Sequence, residues 1–302
     1  MNLQFVVDGL LTGSIIGLGA IGVTLTYSIL RFSNFAHGEF IAWGAYAALA
    51  ASTLLGWMAG GNVSAIAPFS FGWTLIAATV IAVLLTGLLA LALDYLLFRR
   101  LRRRANTITA VMASFGASMA LRSLLEFIFT SSPTYFSKKL QIAQKLGLGV
   151  RATPDQMILI VMTGILVLSI HLLLTRTQTG RSMRAVSENP DLARVAGIDV
   201  GRIVNITWMI GGGLACFAGV MVGLLVQIRP YMGFDLLLPL FAAAILGGIG
   251  SIPGALLGGL IVGLAEAFAV QTVGAEWRAA VAFVLLIAVL LVRPAGIMGG
   301  KA

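Results

Sequence analysis

The sequence predicts an all-α polytopic transmembrane helix bundle, with about eight membrane segments that include broken or re-entrant helices. Three observations carry that prediction. The 302 residues are 59% hydrophobic and only 10% charged, with a mean hydropathy of +1.00. A soluble domain carries about a quarter charged residues, so lipid must cover most of this surface. Apolar runs recur at lengths near the roughly 20 residues that cross a hydrocarbon core as helix. The basic residues sit between those runs, where orientation signals are placed, so the net charge of +9 does not point to nucleic acid. The single cysteine, Cys216, lies in an apolar run and forms no disulfide within the chain, which leaves the redox compartment unread. The whole of 1–302 reads as one membrane domain.

The elements follow in order. The first run, 8–29, comes after Met1-Asn2-Leu3-Gln4-Phe5, which lacks a basic n-region, so it reads as a retained span rather than a signal peptide. Runs at 36–56, 73–97, 106–130, 156–174, 204–227 and 277–293 each suffice for a crossing. The pair 235–249 and 254–273 is short and Gly-rich, parted only by Gly250-Ser251-Ile252-Pro253. It makes either two spans or a re-entrant hairpin, and both return the chain to the same side.

Orientation follows from Arg and Lys in short loops. Arg99-Arg100-Leu101-Arg102-Arg103-Arg104 abuts a span end and is the strongest inside signal. The loop 176–203 adds Arg181, Arg184 and Arg194 on that side, joined by Arg31, Arg293 and Lys301. The uncharged loop 57–72 falls outside. The segment 131–155 carries Lys138, Lys139, Lys145 and Arg151 yet is external by parity, and its role stays open. The result is an external N-terminus and a cytoplasmic C-terminus. Small residues recur every fourth position at Gly9, Gly13 and Gly17, at Gly211, Ala215, Gly219 and Gly223, and in the pairs Gly254 with Gly258 and Gly259 with Gly263. Such faces let helices approach closely in lipid.

Three polar features interrupt the apolar pattern. Arg31-Phe32-Ser33-Asn34-Phe35-Ala36-His37-Gly38-Glu39 breaks the first apolar region. Polar groups at membrane depth face the bundle interior or an aqueous cavity. Asn34, His37 and Glu39 are close enough to satisfy one another or to cap a helix restarting near Gly38, and an ordinary cytoplasmic turn is the alternative. Leu246-Gly247-Gly248-Ile249-Gly250-Ser251-Ile252-Pro253-Gly254 breaks the last region. Interrupted segments in the two halves, 30–56 and 240–272, point to a translocation path; a Gly-Pro turn between spans is the alternative. The path candidates are Asn34, His37, Glu39, Gly247, Gly248, Gly250, Ser251 and Pro253.

In the third feature, 179–198, Asn189 is an N-cap, Pro190 suits the first helical position and Asp191 complements the helix dipole. Gly197 can close the helix in the left-handed conformation. A short helix at 190–196 is expected, with Leu192, Val195 and Ala196 as a small apolar patch. Arg122 and Glu126, one turn apart, are expected to pair. Asp94, Glu266 and Gln227 either line a path or satisfy neighbours, and His171 reads as interfacial. One His and one Glu fall short of a metal ligand set. No Gly-x-x-x-x-Gly-Lys-Ser/Thr sequence is present, and Gly299-Gly300-Lys301-Ala302 lacks the spacing. Energy for uphill movement must come from an ion gradient or a separate ATPase.

These residues resemble a known family. Tyr27 through Phe40, followed by Gly44-Ala45-Tyr46, is similar to the signature of branched-chain amino acid ABC transporter permeases. The stretch from Met183-Arg184-Ala185-Val186 through Ala193-Arg194 to Gly197-Ile198 resembles their cytoplasmic loop, and Gly247 through Ala255 resembles a third family segment. The match is to the shorter of two permeases, the one beginning directly with a span. The resemblance implies an ATP-driven importer in the bacterial inner membrane. Two related permeases form the path, two cytoplasmic ATPases consume the ATP, and a periplasmic or lipid-anchored binding protein delivers leucine, isoleucine or valine. This chain then binds no cofactor itself. Its loop 176–203 becomes the coupling segment, with Arg184, Glu188, Pro190, Leu192, Ala193, Arg194, Val195 and Gly197 docking an ATPase. Two rival readings are a urea or short-amide permease and an ion-coupled transporter using Glu39, Glu266 and His37.

Overall fold

A computed structural model describes residues 3–60, 65–104, 106–137, 141–147, 150–293 and 295–299. Lys138, Lys139 and Lys301 lie outside the described residues. The long apolar runs all form helices: α1 (Gln4–Leu30), α2 (His37–Met58), α3 (Trp73–Leu93), α5 (Thr107–Phe129), α6 (Pro154–Arg176), α9 (Val200–Leu225), α11 (Ile252–Thr272) and α12 (Arg278–Val292). A π-helical turn, Asp94–Phe98, continues α3 into α4 (Arg99–Arg104), and a 3-10 turn, Ala275–Trp277, leads into α12. Among the described residues eight helices are long and apolar enough to cross a membrane, and a ninth, α10 (Met232–Gly247), is shorter at 16 residues. The fold is therefore an all-α polytopic membrane bundle. Its only described sheet is a two-stranded antiparallel hairpin, β1 (Gln144–Gly147) with β2 (Val150–Ala152), inside the loop whose role the sequence left open.

Local chemistry sets the ends. Arg31, at φ 58°, closes α1 by donating its backbone N–H to the Tyr27 carbonyl. Thr153 and Gln156 form a reciprocal capping box ahead of Pro154 and start α6. Successive helices reverse direction, which gives the bundle two ends. One, the basic face, holds Arg31, α4, the loop 248–251, Arg293 and the two short helices α7 (Gln178–Glu188) and α8 (Pro190–Val195). At the opposite face, Asp155 is buried and accepts from the Ser70 N–H at 3.1 Å, the Ser70 hydroxyl and the Gln141 amide at 3.0 Å. Gln4 exchanges two hydrogen bonds with the Arg151 backbone, and Thr134 pairs with Ile228. The loop segments at this face thus knit together into a cover.

The small-residue faces pack as their spacing predicts. Gly9, Gly13 and Gly17 meet α11 in antiparallel order at Leu264, Leu260 and Leu256. A Cβ at Gly259 would lie 2.5 Å from the Gly17 Cα, so only hydrogen fits between these backbones. On the other side Gly212 abuts Thr86 and Gly87 of α3, and Gly219 abuts the Ile41 carbonyl of α2. The contacts obey an approximate inverted repeat. α1 packs on α11 as α9 packs on α3, α2 packs on α3 as α10 packs on α11, and α1 and α9 cross each other at the centre at Gly22 and Gly211. The aromatic stack of Phe98 on Trp208, centroids 5.4 Å apart, with Phe32 and Phe40 beside it, fills the bundle toward the basic face.

Candidate translocation site

The inverted repeat brings two helix N-termini together inside the bundle. His37, the first residue of α2, packs against Gly22 and Gly211. Gly22 lies eight residues before the end of α1, roughly 12 Å along its axis at 1.5 Å per residue. The chain therefore reaches the basic face at Arg31 and re-enters, so that α2 starts inside the bundle. Opposite, a Cβ on Gly38 would sit 2.5 Å from the carbonyl of Gly233, in the first turn of α10. The residues 226–231 that lead into α10 are non-helical, and Ile228 among them forms a β-bridge with Thr134.

This corrects the expected position of the second interruption. The segment 246–254 forms the alternative, a Gly-Pro turn between helices, at the basic face: α10 runs to Gly247 and α11 restarts at Ile252, with the Ser251 hydroxyl accepting from the Gly254 N–H at 3.1 Å. Gly247 lies against Gly254, and Gly250 and Pro253 are exposed. Gly248 has φ 96° and is enclosed by Gly296 and Gly299, while Ile297 and Met298 donate to the carbonyls of Leu246 and Gly247 at 2.8 and 3.0 Å. The tail thereby caps α10, so a leucine at Gly248 would first displace the tail. The break in the second half lies earlier, at 226–231. Its sequence, Val226-Gln227-Ile228-Arg229-Pro230-Tyr231, holds Pro230 and polar residues that could have marked it.

The charged residues find partners across helices. Glu39 is fully buried, and its Oε1 accepts from the Ser118 hydroxyl at 2.9 Å and from Arg122 Nε and Nη2 at 3.2 and 2.7 Å. The expected Arg122–Glu126 pairing is thus overturned: the fully buried Glu39 carboxylate requires the cation more than the partly exposed Glu126 does. Arg122 also lies over the rings of Tyr231 and Phe234, 5.0 and 4.2 Å from their centroids, which ties α5 to the start of α10. Asn34, His37 and Glu39 do not satisfy one another through their side chains. Asn34 Oδ1 accepts from the Ala36 N–H, and the His37 ring nitrogens have no hydrogen-bond partner of good geometry among the described residues. Asp94 pairs with Arg102 at 2.7 Å.

A cavity of about 710 Å³ lies between the first half of α1, the start of α6, the end of α9, the start of α10, the end of α11 and the start of α12. Every element lining it contributes the end nearest the opposite face, so it opens there. Its wall includes Gln227, Arg229, Asp235, Glu266 and Arg278, and none of the eight path candidates. Arg278, Arg229 and Asp235 were not singled out in the sequence, because at span ends they look like interfacial anchors.

At the basic face, α8 forms as its caps dictate. Asn189 Oδ1 accepts from the N–H groups of Asp191 and Leu192, both at 3.0 Å, and Gly197, at φ 82°, lets Ile198 donate back to the Ala193 carbonyl at 3.0 Å. Ala193 is buried, whereas Leu192 and Val195 are 66% and 88% exposed. Asp191 pairs with Arg194 at 2.8 Å. Ahead of α8, the residues read as loop form α7, whose Met183 and Val186 are buried and whose Arg184 and Glu188 are exposed. The Arg31 guanidinium donates to the carbonyls of Ser187 and Glu188 at the end of α7. The α1–α2 turn is thereby fastened to the segment bearing α8.

Comparison with known proteins adds to this geometry. Residues 5–290 match the family described as branched-chain amino acid transport system / permease component. The chain belongs to this family. It is 35% identical to the high-affinity branched-chain amino acid transport system permease protein BraD of Pseudomonas aeruginosa, over 98% of this chain and 95% of that protein. It is 33% identical to LivH of Escherichia coli K12, with the same coverage of each chain. The probable branched-chain amino acid transport permease protein LivH of Methanocaldococcus jannaschii is 28% identical, over 98% of this chain and 92% of its own length. The chain is thus a multi-pass membrane permease of a transport family.

Proposed function

We propose that the chain is the permease subunit of an ATP-driven importer that carries leucine, isoleucine or valine across the bacterial inner membrane. Residues 1–302 act as one membrane domain, with the basic face in the cytoplasm. The observation that carries the reading is the match over 98% of the chain to permeases named for branched-chain amino acid transport. The chain binds no cofactor itself; ATP is consumed by two cytoplasmic ATPase subunits, one docking on Leu192 and Val195 of α8. A homologous second permease completes the path, and a periplasmic binding protein delivers substrate. Two uncovered apolar side chains on a capped helix support this docking role, since water-facing apolar pairs held rigidly suit a partner surface. The meeting point of α2 and α10, with Asn34, His37 and Glu39, supplies the element that moves between inward and outward states. The turn of Gly247, Gly248, Gly250, Ser251 and Pro253 carries the motion at the basic face. Labelled leucine uptake by cells with the complete system tests the reading. Excess isoleucine or valine should abolish uptake and excess urea should not; competition by urea alone moves the assignment to the amide carriers.

A further inference from the structure

The cavity at the opposite face has a chemical character that packing does not explain. Glu266 stands in its wall with a side chain only 2% exposed. Its Oε2 accepts from Arg278 Nε at 2.8 Å, while Oε1 has no hydrogen-bond partner among the described residues. A carboxylate shielded from water with one oxygen unsatisfied has a strong need for a further donor. Arg278, whose Nη2 reaches the Thr12 hydroxyl at 3.2 Å, is half-exposed and lies over this group. The second guanidinium at the wall, Arg229, is held by Asp235 at 3.0 Å. With Asp8 and Glu276 the wall carries four carboxylates against these two arginines, a formal balance of −2. Both signs are thus present, with the excess that attracts a cationic group. The remaining wall is largely apolar, including Ile15, Leu225 and Met232. A volume of about 710 Å³ falls in the roughly 300–1,000 Å³ range of small-molecule sites. A lipid tail matches the apolar part but gives Glu266 no donor.

We propose that this cavity binds a zwitterionic α-amino acid, the Glu266 carboxylate taking the ammonium group and the apolar wall taking the side chain. The inference rests on the amino-acid reading above and deepens it: the permease itself has a recognition site on the side from which substrate arrives. The exposed arginine at the mouth, Arg278, receives the substrate carboxylate as the ammonium approaches Glu266. No covalent step is involved.

The test is equilibrium binding to the complete complex in lipid nanodiscs without the binding protein. The probes are labelled L-leucine and 4-methyl-2-oxopentanoate, which keeps the carbon skeleton and carboxylate but lacks the ammonium group. Wild type should prefer leucine, and Glu266→Gln should weaken leucine binding roughly tenfold or more while leaving the keto acid unchanged, collapsing the ratio. A merely structural role for the Glu266–Arg278 pair would weaken both probes together. Leu236→Trp, which fills the cavity and spares the ion pair, should abolish leucine binding in assembled complex. An unchanged leucine-to-keto-acid ratio in Glu266→Gln overturns the proposal. So does undiminished leucine binding in Leu236→Trp, or the absence of amino-acid binding by wild type. Leucine uptake by wild type with no effect of either variant removes the site and leaves the transport reading standing. Glu266-dependent binding of some other amino acid, without leucine, does the reverse.

Discussion

Replacing Arg122 by Gln tests the interior of the bundle at its most constrained point. Glu39 is fully buried, and two of the three hydrogen bonds to its Oε1 come from Arg122. Removing the guanidinium strands a carboxylate whose remaining donor is Ser118. Breaking a buried ion pair from one side costs about 3–5 kcal/mol. Loss of the cation over the Tyr231 and Phe234 rings adds about 0.5–1 kcal/mol. The companion change Glu39→Gln removes the stranded charge, so the double variant should recover about 2–3 kcal/mol of the loss, because what remains is mainly unmade hydrogen bonds. Denaturant titration of the four proteins in detergent micelles, followed by circular dichroism, gives the coupling energy directly. A second cycle with Glu126→Gln serves as the control, since Glu126 is the partner that helix spacing alone suggests. Coupling of Arg122 to Glu126 larger than to Glu39, or coupling to Glu39 under about 0.5 kcal/mol, would refute the reasoning.

Two further outcomes follow from other parts of the structure. Leu192→Glu on α8, whose side chain is uncovered within this chain, should leave membrane insertion intact and prevent co-purification of the ATPases; normal co-purification removes α8 as the docking element. Glycines should split by environment. Gly219→Leu forces a side chain against the Ile41 carbonyl and should cost about 2–3 kcal/mol. Gly116→Ala meets nothing within 4 Å and should be neutral or stabilise α5 by up to about 1 kcal/mol. Thermal unfolding in detergent reads both, and equal effects at the two positions would contradict the packing described for α2 and α9.

The spans were legible because length and apolarity in lipid leave helices as the main solution. The capped helix α8 was legible for the same kind of reason: Asn189, Pro190 and Gly197 act through bonds within five residues, which one stretch of sequence contains. What sequence did not reveal depends on partners far along the chain. Arg122 finds Glu39 across 83 positions, and helical spacing can only propose Glu126. The glycines of 246–254 look like a break at membrane depth, yet the tail residues Ile297 and Met298 cap α10 there. The actual irregular segment, 226–231, is masked by its apolar neighbours. α7 escaped notice because most of its residues are polar; Gly180, Met183 and Val186, the Thr177 cap and the Arg31 contact to its last carbonyls hold it in place. The cavity combines residues from six helices, and no local pattern in any one of them announces it.

As proposed above, this bundle moves an amino acid using ATP hydrolysed by partners docked at its basic face. The most direct measurement is leucine accumulation in sealed proteoliposomes holding the complete complex, with equal ion composition on both sides and ATP available only to the basic face. Leucine should accumulate above the external concentration, stop accumulating when ATP is withheld and be unaffected by an uncoupler. Accumulation that requires an imposed ion gradient and proceeds without ATP would contradict the proposal.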